Sequence, residues 1–461
     1  MRDPSTRFDR LPDGNGTSLL GGLDAPDLAA AGYVEHELRV TARARSYTSA
    51  VDPLPADGRF ELREGPDAEV VTRIVVRRPV DPERCSGTLV LEWLNVSSGS
   101  DAAPSYGFLA PEIVRRGHVW AGLSAQSAGV ETAPALVEVG GDAGIVLQGL
   151  RQADPERYGS LHHPGDAHSY DLFTAIARAL RTPQPDSPTA DLDITQVLAV
   201  GESQSAYTLT TYVNGVQPVE RAVDGFFIHS RGGPCAPLDG PGGRIDLEAR
   251  RLDPAVRIRD DLDVAVLVLE TETDVLGHLD FLPARQPDTD LLRVWEVAGA
   301  AHADRSLVGD FEAILGCDEP VNRGQQRFVV RAALRWLVEW AAGTTVPPTA
   351  EPLRVIETDG QRARYAVDDL GNVLGGVRTP SVDVAAETLS GLTAPGASHV
   401  CRLFGRTIPA PDQVLRQRYP SADDYRRRYE QATDDAIAAG FVLAEDRDVV
   451  LADARTELIT W

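Results

Sequence analysis

Hydrophobic positions along the chain follow two rhythms. Short, nearly continuous apolar runs recur at 88–94, 119–123, 197–200, 225–229, 264–269 and 292–297, as expected for strands buried on both faces of a mostly parallel sheet. Ahead of them, 33–42 and 70–77 read as further extended segments. Between the runs, in 170–180 (YDLFTAIARAL), 205–213 and 326–342, apolar residues return at every third or fourth position, the spacing of a helix that buries one face. Strands alternating with helices in this way predict a three-layer α/β architecture around a mostly parallel central sheet.

Two stretches exceed what such a fold needs. About forty residues at 127–168 and about thirty at 231–261 separate consecutive elements, and connections this long inside a compact domain are usually lids or binding loops. Both follow strands near the sheet edge where an active site is expected. After Pro347 and Pro348, more than a hundred residues carry Gly-Gly and Thr-Pro turns, then a polar helix near 423–439. With few long apolar strands to give it a core of its own, this segment is expected to wrap on the preceding domain rather than fold alone. The expected organisation is therefore a core at 1–345 with lid insertions, and a C-terminal extension at 346–461.

Charge and composition narrow the chemistry. The 461 residues include 45 basic and 69 acidic ones, for a formal net charge of −24, which repels phosphate backbones and anionic lipid surfaces, so neither nucleic acid nor membrane is an expected partner. Every basic residue of the 45 is Arg. Without a lysine amine, P-loop phosphate capture, Schiff-base chemistry and Ser-x-x-Lys acyl transfer are excluded. Cys85, Cys235, Cys317 and Cys401 are widely spaced and form no C-x-x-C pair, which argues against a zinc knuckle or redox motif but leaves disulfides open. No run reaches the roughly 18 apolar residues of a spanning helix, and the first residues lack the apolar stretch of a secretory signal. The expectation is a cytoplasmic protein.

The sharpest local signal is VLAV-GESQS-AYTLTTYV, where an apolar strand runs through Gly201-Glu202-Ser203-Gln204-Ser205 directly into a helix. A serine on such a strained turn is presented at a helix N-terminus, where backbone N–H groups favour developing negative charge. A hydroxyl is a poor nucleophile unless a histidine takes its proton and a carboxylate orients that histidine. About seventy residues later one strand ends in Thr271-Glu272-Thr273-Asp274, and the next leads into a loop carrying His302. Serine, acid and histidine in that order, each following a buried strand, is the order of α/β-hydrolase sheets.

On these residues the region from about 33 to 342 resembles an α/β-hydrolase-fold serine hydrolase. The GESQS elbow, the T-E-T-D turn, the A-x-H-A-D loop and the GGVRTP turn of the tail together resemble, over nearly the whole chain, a bacterial alpha/beta hydrolase domain group. The resemblance implies that Ser203 is the nucleophile, His302 the base and Asp274 the acid, with Glu272 as the rival carboxylate. It implies an oxyanion hole built from the Gln204 amide and a second amide in the loop after the strand TLVLEW: Val96, with Asn95 as the fallback. The superfamily's usual second glycine is Ser205 here, and the His-Gly-Gly-Gly loop of lipases is missing.

The expected activity is hydrolysis of a carboxylic ester through an acyl-enzyme, with a small-molecule ester or acyl compound as substrate. Acyl transfer, or lactone formation or opening, would use the same triad. A non-catalytic ligand-binding protein on a hydrolase scaffold is the alternative of another class. Asn95, His229, Arg231 and Arg378 are candidates for substrate contact. His162, His163, Asp166 and His168 match no standard zinc spacing and read as a structural loop, so no metal and no cofactor is expected. The sequence leaves the oligomeric state open.

Overall fold

The computed structural model describes residues 6–19, 21–131, 135–136, 147–182, 184–357 and 362–461. The chain divides into two units, 1–266 with 283–286, and 267–282 with 287–461.

The first unit is organised around strands β1 (Arg7–Arg10), β2 (Tyr33–Ser49), β3 (Leu62–Pro79), β4 (Thr88–Trp93), β5 (Val119–Leu123), β6 (Gln196–Glu202) and β7 (Gly225–His229). Their spatial order is β1-β2-β3-β5-β4-β6-β7. Strands β5, β4, β6 and β7 are parallel, and every residue in them is buried. This is why they appear in the sequence as nearly continuous apolar runs. Strands β1, β2 and β3 add an antiparallel flank. There the hairpin of β2 and β3 reaches 17 and 18 residues, well beyond the apolar segments at 33–42 and 70–77. Its outer parts carry Arg43, Arg63, Glu64 and Asp67 on partly solvated faces, so hydrophobicity alone does not reveal where these strands end. The helices Ser169–Arg181 and Gln204–Thr211 match the helical patterns at 170–180 and 205–213, and Pro104–Arg116 is a further helix of this unit.

In the two long connections the described residues form short pieces. Helical turns occupy Ser127–Val130, Leu150–Ala153 and Pro155–Tyr158, with a 3-10 turn at Asp166–His168. Residues 132–134 and 137–146 of the first insertion lie outside the described residues. The second insertion is turns and bends, with a 3-10 turn at Pro241–Gly243.

The second unit begins inside β8 (Ala265–Thr271), whose sheet neighbour is β9 (Leu292–Val297). The amphipathic helix Gln326–Ala341 contributes Phe328 to a cluster otherwise formed by the tail, including Leu415, Tyr419, Tyr425, Tyr429, Val450 and Ile459. Residues 346–461 belong to this unit throughout. Val377 bridges Val297 of β9, and the Trp295 indole of the same strand donates to the Pro348 carbonyl at 2.8 Å. A disulfide joins Cys317 to Cys401, while Cys85 and Cys235 are free thiols. Among the described residues no helix is long and apolar enough to cross a membrane.

Candidate functional site

Strand β6 delivers Ser203 to the start of the helix Gln204–Thr211. The serine has φ 60° and ψ −122°, one of four positive-φ non-glycine residues among those described, and such a conformation costs on the order of 1–3 kcal/mol that surrounding structure must supply. The supports are local. The Ser203 N–H donates to the His229 carbonyl at 3.0 Å, and the Ser203 carbonyl accepts from the Ala206 N–H at 2.8 Å. Gly201 lets helix and strand close on each other. A Cβ there would stand 2.9 Å from Leu209 Cδ1 and 3.0 Å from Ser205 Cβ, so the glycine is required on the strand side, while the helix side accommodates Ser205.

The loop after β4 is fastened to this elbow. Asn95 Nδ2 donates to the Glu202 carbonyl at 3.0 Å, and the Val96 N–H donates to Gln204 Oε1 at 3.0 Å. The loop closes through paired backbone bonds between Asn95 and Ala102, and Asn95 Oδ1 accepts from the Ser97 N–H and hydroxyl. Beneath it, the fully buried Arg73 pairs with Asp101 at 2.8 Å. Glu92 in β4 accepts from the Ser105 and Tyr106 N–H groups and the Trp120 indole, fixing the start of the helix that leaves the loop. Burial pushes the Glu92 carboxyl up to about 7, against those three donors.

The expected acid and base, Asp274 and His302, belong to the second unit. Asp274 is fully buried and His302 is 4% exposed. Asp274 Oδ1 stands 2.7 Å from His302 Nδ1, and Oδ2 accepts from both the N–H and the hydroxyl of Thr271, each at 2.7 Å. A carboxylate can only accept, so the imidazole proton sits on Nδ1 and Nε2 carries the lone pair in the neutral ring. Glu272 makes a different pair of bonds. Its Oε1 accepts from the Gly299 N–H at 2.6 Å and its Oε2 from the Gly391 N–H at 2.8 Å. Burial raises its carboxyl to about 7, with those two N–H groups opposing the rise. Asp304 caps a short helix through the Ser306 N–H and accepts from Gln326 Nε2.

The remaining candidates have well-defined surroundings. His229 ends β7, stacked on Phe227 and edge-on to Phe108, with its Nδ1 3.8 Å from Glu202 Oε2. The buried Arg231 guanidinium donates to the Gly232, Gly233 and Val256 carbonyls, tying down the ends of the second insertion. Arg378 pairs with Asp383 at 2.6 Å and donates to the Val373 carbonyl, which secures the tail's own turn. In the histidine loop, His163 Nε2 contacts the Ala125 carbonyl, its Nδ1 accepts from the Gly165 N–H, and His168 Nδ1 contacts the Ala44 carbonyl. Asp166 instead accepts from the Ser127 and Ile245 N–H groups. Among the described residues no three His, Cys, Asp or Glu side chains converge as a metal-ligand group.

Sequence reasoning missed Thr271, Thr273, Tyr365 and Gly391. Thr271 could have been found, because a threonine three residues before an aspartate at a strand-to-helix turn is a capping pattern. Nothing local marks Tyr365 or Gly391, which reach Glu272 from about ninety and 120 residues downstream.

A family model for the alpha/beta hydrolase domain matches residues 5–452. The chain belongs to the alpha/beta hydrolase domain family. Its fold class is accordingly the three-layer α/β-hydrolase class with a mostly parallel central sheet, and at the coarse level its chemistry is that of a hydrolase. No curated protein matches the chain. Solved structures similar to it include a protein assigned as a dienelactone hydrolase from Klebsiella pneumoniae subsp. pneumoniae, at 11% identity over 65% of this chain and 99% of the other, with a TM-score of 0.31. An esterase from Rhizomucor miehei matches at 11% identity over 69% and 88%, with a TM-score of 0.31. A glucuronoyl esterase from Solibacter usitatus matches at 10% identity over 64% and 83%, with a TM-score of 0.29. Membership rests on the family model and not on these likenesses.

Proposed function

We propose that this alpha/beta hydrolase cleaves a carboxylic ester of a small molecule through an acyl-enzyme formed on Ser203. The observation that carries the reading is the buried 2.7 Å hydrogen bond between Asp274 and His302 Nδ1, because it orients an imidazole as a base and stabilises the imidazolium formed when a proton is taken. In the proposed sequence His302 Nε2 accepts the Ser203 hydroxyl proton as Oγ attacks the ester carbonyl. The proton then passes to the departing alkoxide. Water, deprotonated by the same imidazole, attacks the acyl-enzyme, and as the acyl–Oγ bond breaks the imidazolium returns that proton to Ser203 Oγ and the acid is released. The oxyanion of each tetrahedral intermediate takes the Gln204 and Val96 N–H groups as donors. The Val96 N–H is held by Gln204 Oε1 in this structure, so in the reaction the oxyanion would replace that side-chain oxygen.

Labelling by a fluorophosphonate probe tests the reading. The parent protein is expected to label stoichiometrically at Ser203, and Ser203→Ala to lose both labelling and turnover of any ester the parent cleaves, by several orders of magnitude. Near-parental turnover in Ser203→Ala would refute the mechanism.

A further inference from the structure

The C-terminal segment is bonded directly to the turn that holds the acid and the base. Gly391 uses both of its backbone groups there. Its N–H donates to Glu272 Oε2 at 2.8 Å, and its carbonyl accepts the Thr273 hydroxyl at 2.6 Å. A hydroxyl that donates its one proton still has lone pairs, and Thr273 Oγ1 in turn accepts the His302 N–H at 3.1 Å. Thr273 thus joins the tail to the main chain of the histidine whose ring is held by Asp274, the residue after Thr273. Glu272 adds the second strand of the clasp through Gly299, three residues before His302. Asn322 Nδ2 spans the Gly299 and Ser390 carbonyls, and the Tyr365 hydroxyl donates to the Glu272 carbonyl at 2.7 Å. The approach leaves no room for a side chain. A Cβ on Gly391 would lie 2.5 Å from the Ala300 carbonyl oxygen, 2.6 Å from Glu272 Cβ and 2.7 Å from the Thr273 nitrogen.

We propose that Thr273, held by Gly391 of the C-terminal segment, is a positioning residue for His302, which makes that segment part of the acid–base apparatus. The proposal rests on the reading of His302 and Asp274 as base and acid. Displacing a base by about 1 Å can cost on the order of a hundredfold in rate, so a bond to its main chain from a rigid neighbour has a kinetic consequence that loss of packing alone would not produce.

The test compares Thr273→Val, which keeps the shape and loses both bonds, with Thr273→Ser, which keeps the hydroxyl, in the full-length protein. Two readouts are followed: the pH profile of the fluorophosphonate labelling rate, and the low-field proton NMR signal of the His302–Asp274 hydrogen bond, assigned by its loss in Asp274→Asn. Thr273→Val is expected to label at least about tenfold more slowly, to shift the acid limb of the profile and to move or broaden the resonance, while Thr273→Ser recovers most of the rate and the parental signal. Tyr365→Phe, which removes only a hydroxyl, should displace the signal in the same direction and by less. Thr273→Val with the parental rate, profile and resonance would overturn the proposal, as would Thr273→Ser matching its defect. If the parent fails to label, the serine mechanism falls instead, and the NMR comparison still decides the positioning role.

Discussion

At the scale of single residues the two carboxylates of the T-E-T-D turn separate cleanly. Both are fully buried, and in the sequence only the family resemblance favours Asp274 over Glu272, two positions away on the same turn. What distinguishes them is the direction of their oxygens. Asp274 gives one oxygen to imidazole and the other to Thr271, whereas Glu272 gives both to backbone N–H groups. Asp274→Asn is therefore expected to reduce kcat by about 10⁴-fold, since an amide in place of the carboxylate can stabilise the wrong imidazole tautomer. Glu272→Gln keeps one accepting oxygen but turns an NH2 donor toward the other N–H group, so its principal effect should be on stability, at about 1–3 kcal/mol, with a kcat loss nearer tenfold. Steady-state kinetics and thermal denaturation of the two variants check this, and a larger catalytic defect in Glu272→Gln would transfer the acid role to Glu272.

At the scale of elements, the strand–turn–helix carrying Ser203 was legible because its physics is local: an apolar run, a small residue on the strand side, a serine, and a helix. The same holds for β4 to β7, whose complete burial shows as nearly continuous hydrophobicity. The long hairpin of β2 and β3 was only half legible, since charged side chains on its partly solvated faces hide the strand ends. Ser205 stands where the superfamily usually has its second glycine. It is fully buried, and its hydroxyl has no hydrogen-bond partner among the described residues. Ser205→Ala should then leave activity within a few-fold and leave stability unchanged or raised by about 1 kcal/mol, because it removes a desolvated hydroxyl without losing a bond. Denaturant unfolding of this variant checks the point, and a loss above about 1 kcal/mol would mean that the hydroxyl has a structural partner.

At the scale of the whole molecule, the tail was the part least open to sequence reasoning, because its contacts join residues a hundred positions apart and follow no period. Arg378 stands out in the sequence as a charge beside a Gly-Gly turn, yet its bonds stay within the tail, while the uncharged Gly391 and Tyr365 reach Glu272. The same segment also supplies most of a hydrophobic cluster whose buried members include Leu415, Tyr419, Tyr425, Tyr429 and Val450, packed with Phe328 of the helix Gln326–Ala341. A chain ending at Thr345 would expose that helix face and remove the N–H donor and the carbonyl acceptor that Gly391 brings to the clasp. Deletion of 346–461 is thus expected to give an insoluble or molten product rather than an active core. Leu415→Ala, which truncates a fully buried side chain, should cost about 2–5 kcal/mol while leaving the full-length chain folded at low temperature. Solubility, near-ultraviolet circular dichroism and thermal denaturation distinguish the outcomes. A truncated chain that unfolds cooperatively and labels at the parental rate would show that the tail is an independent module, and it would also refute the assignment of Thr273 as a residue positioned through Gly391.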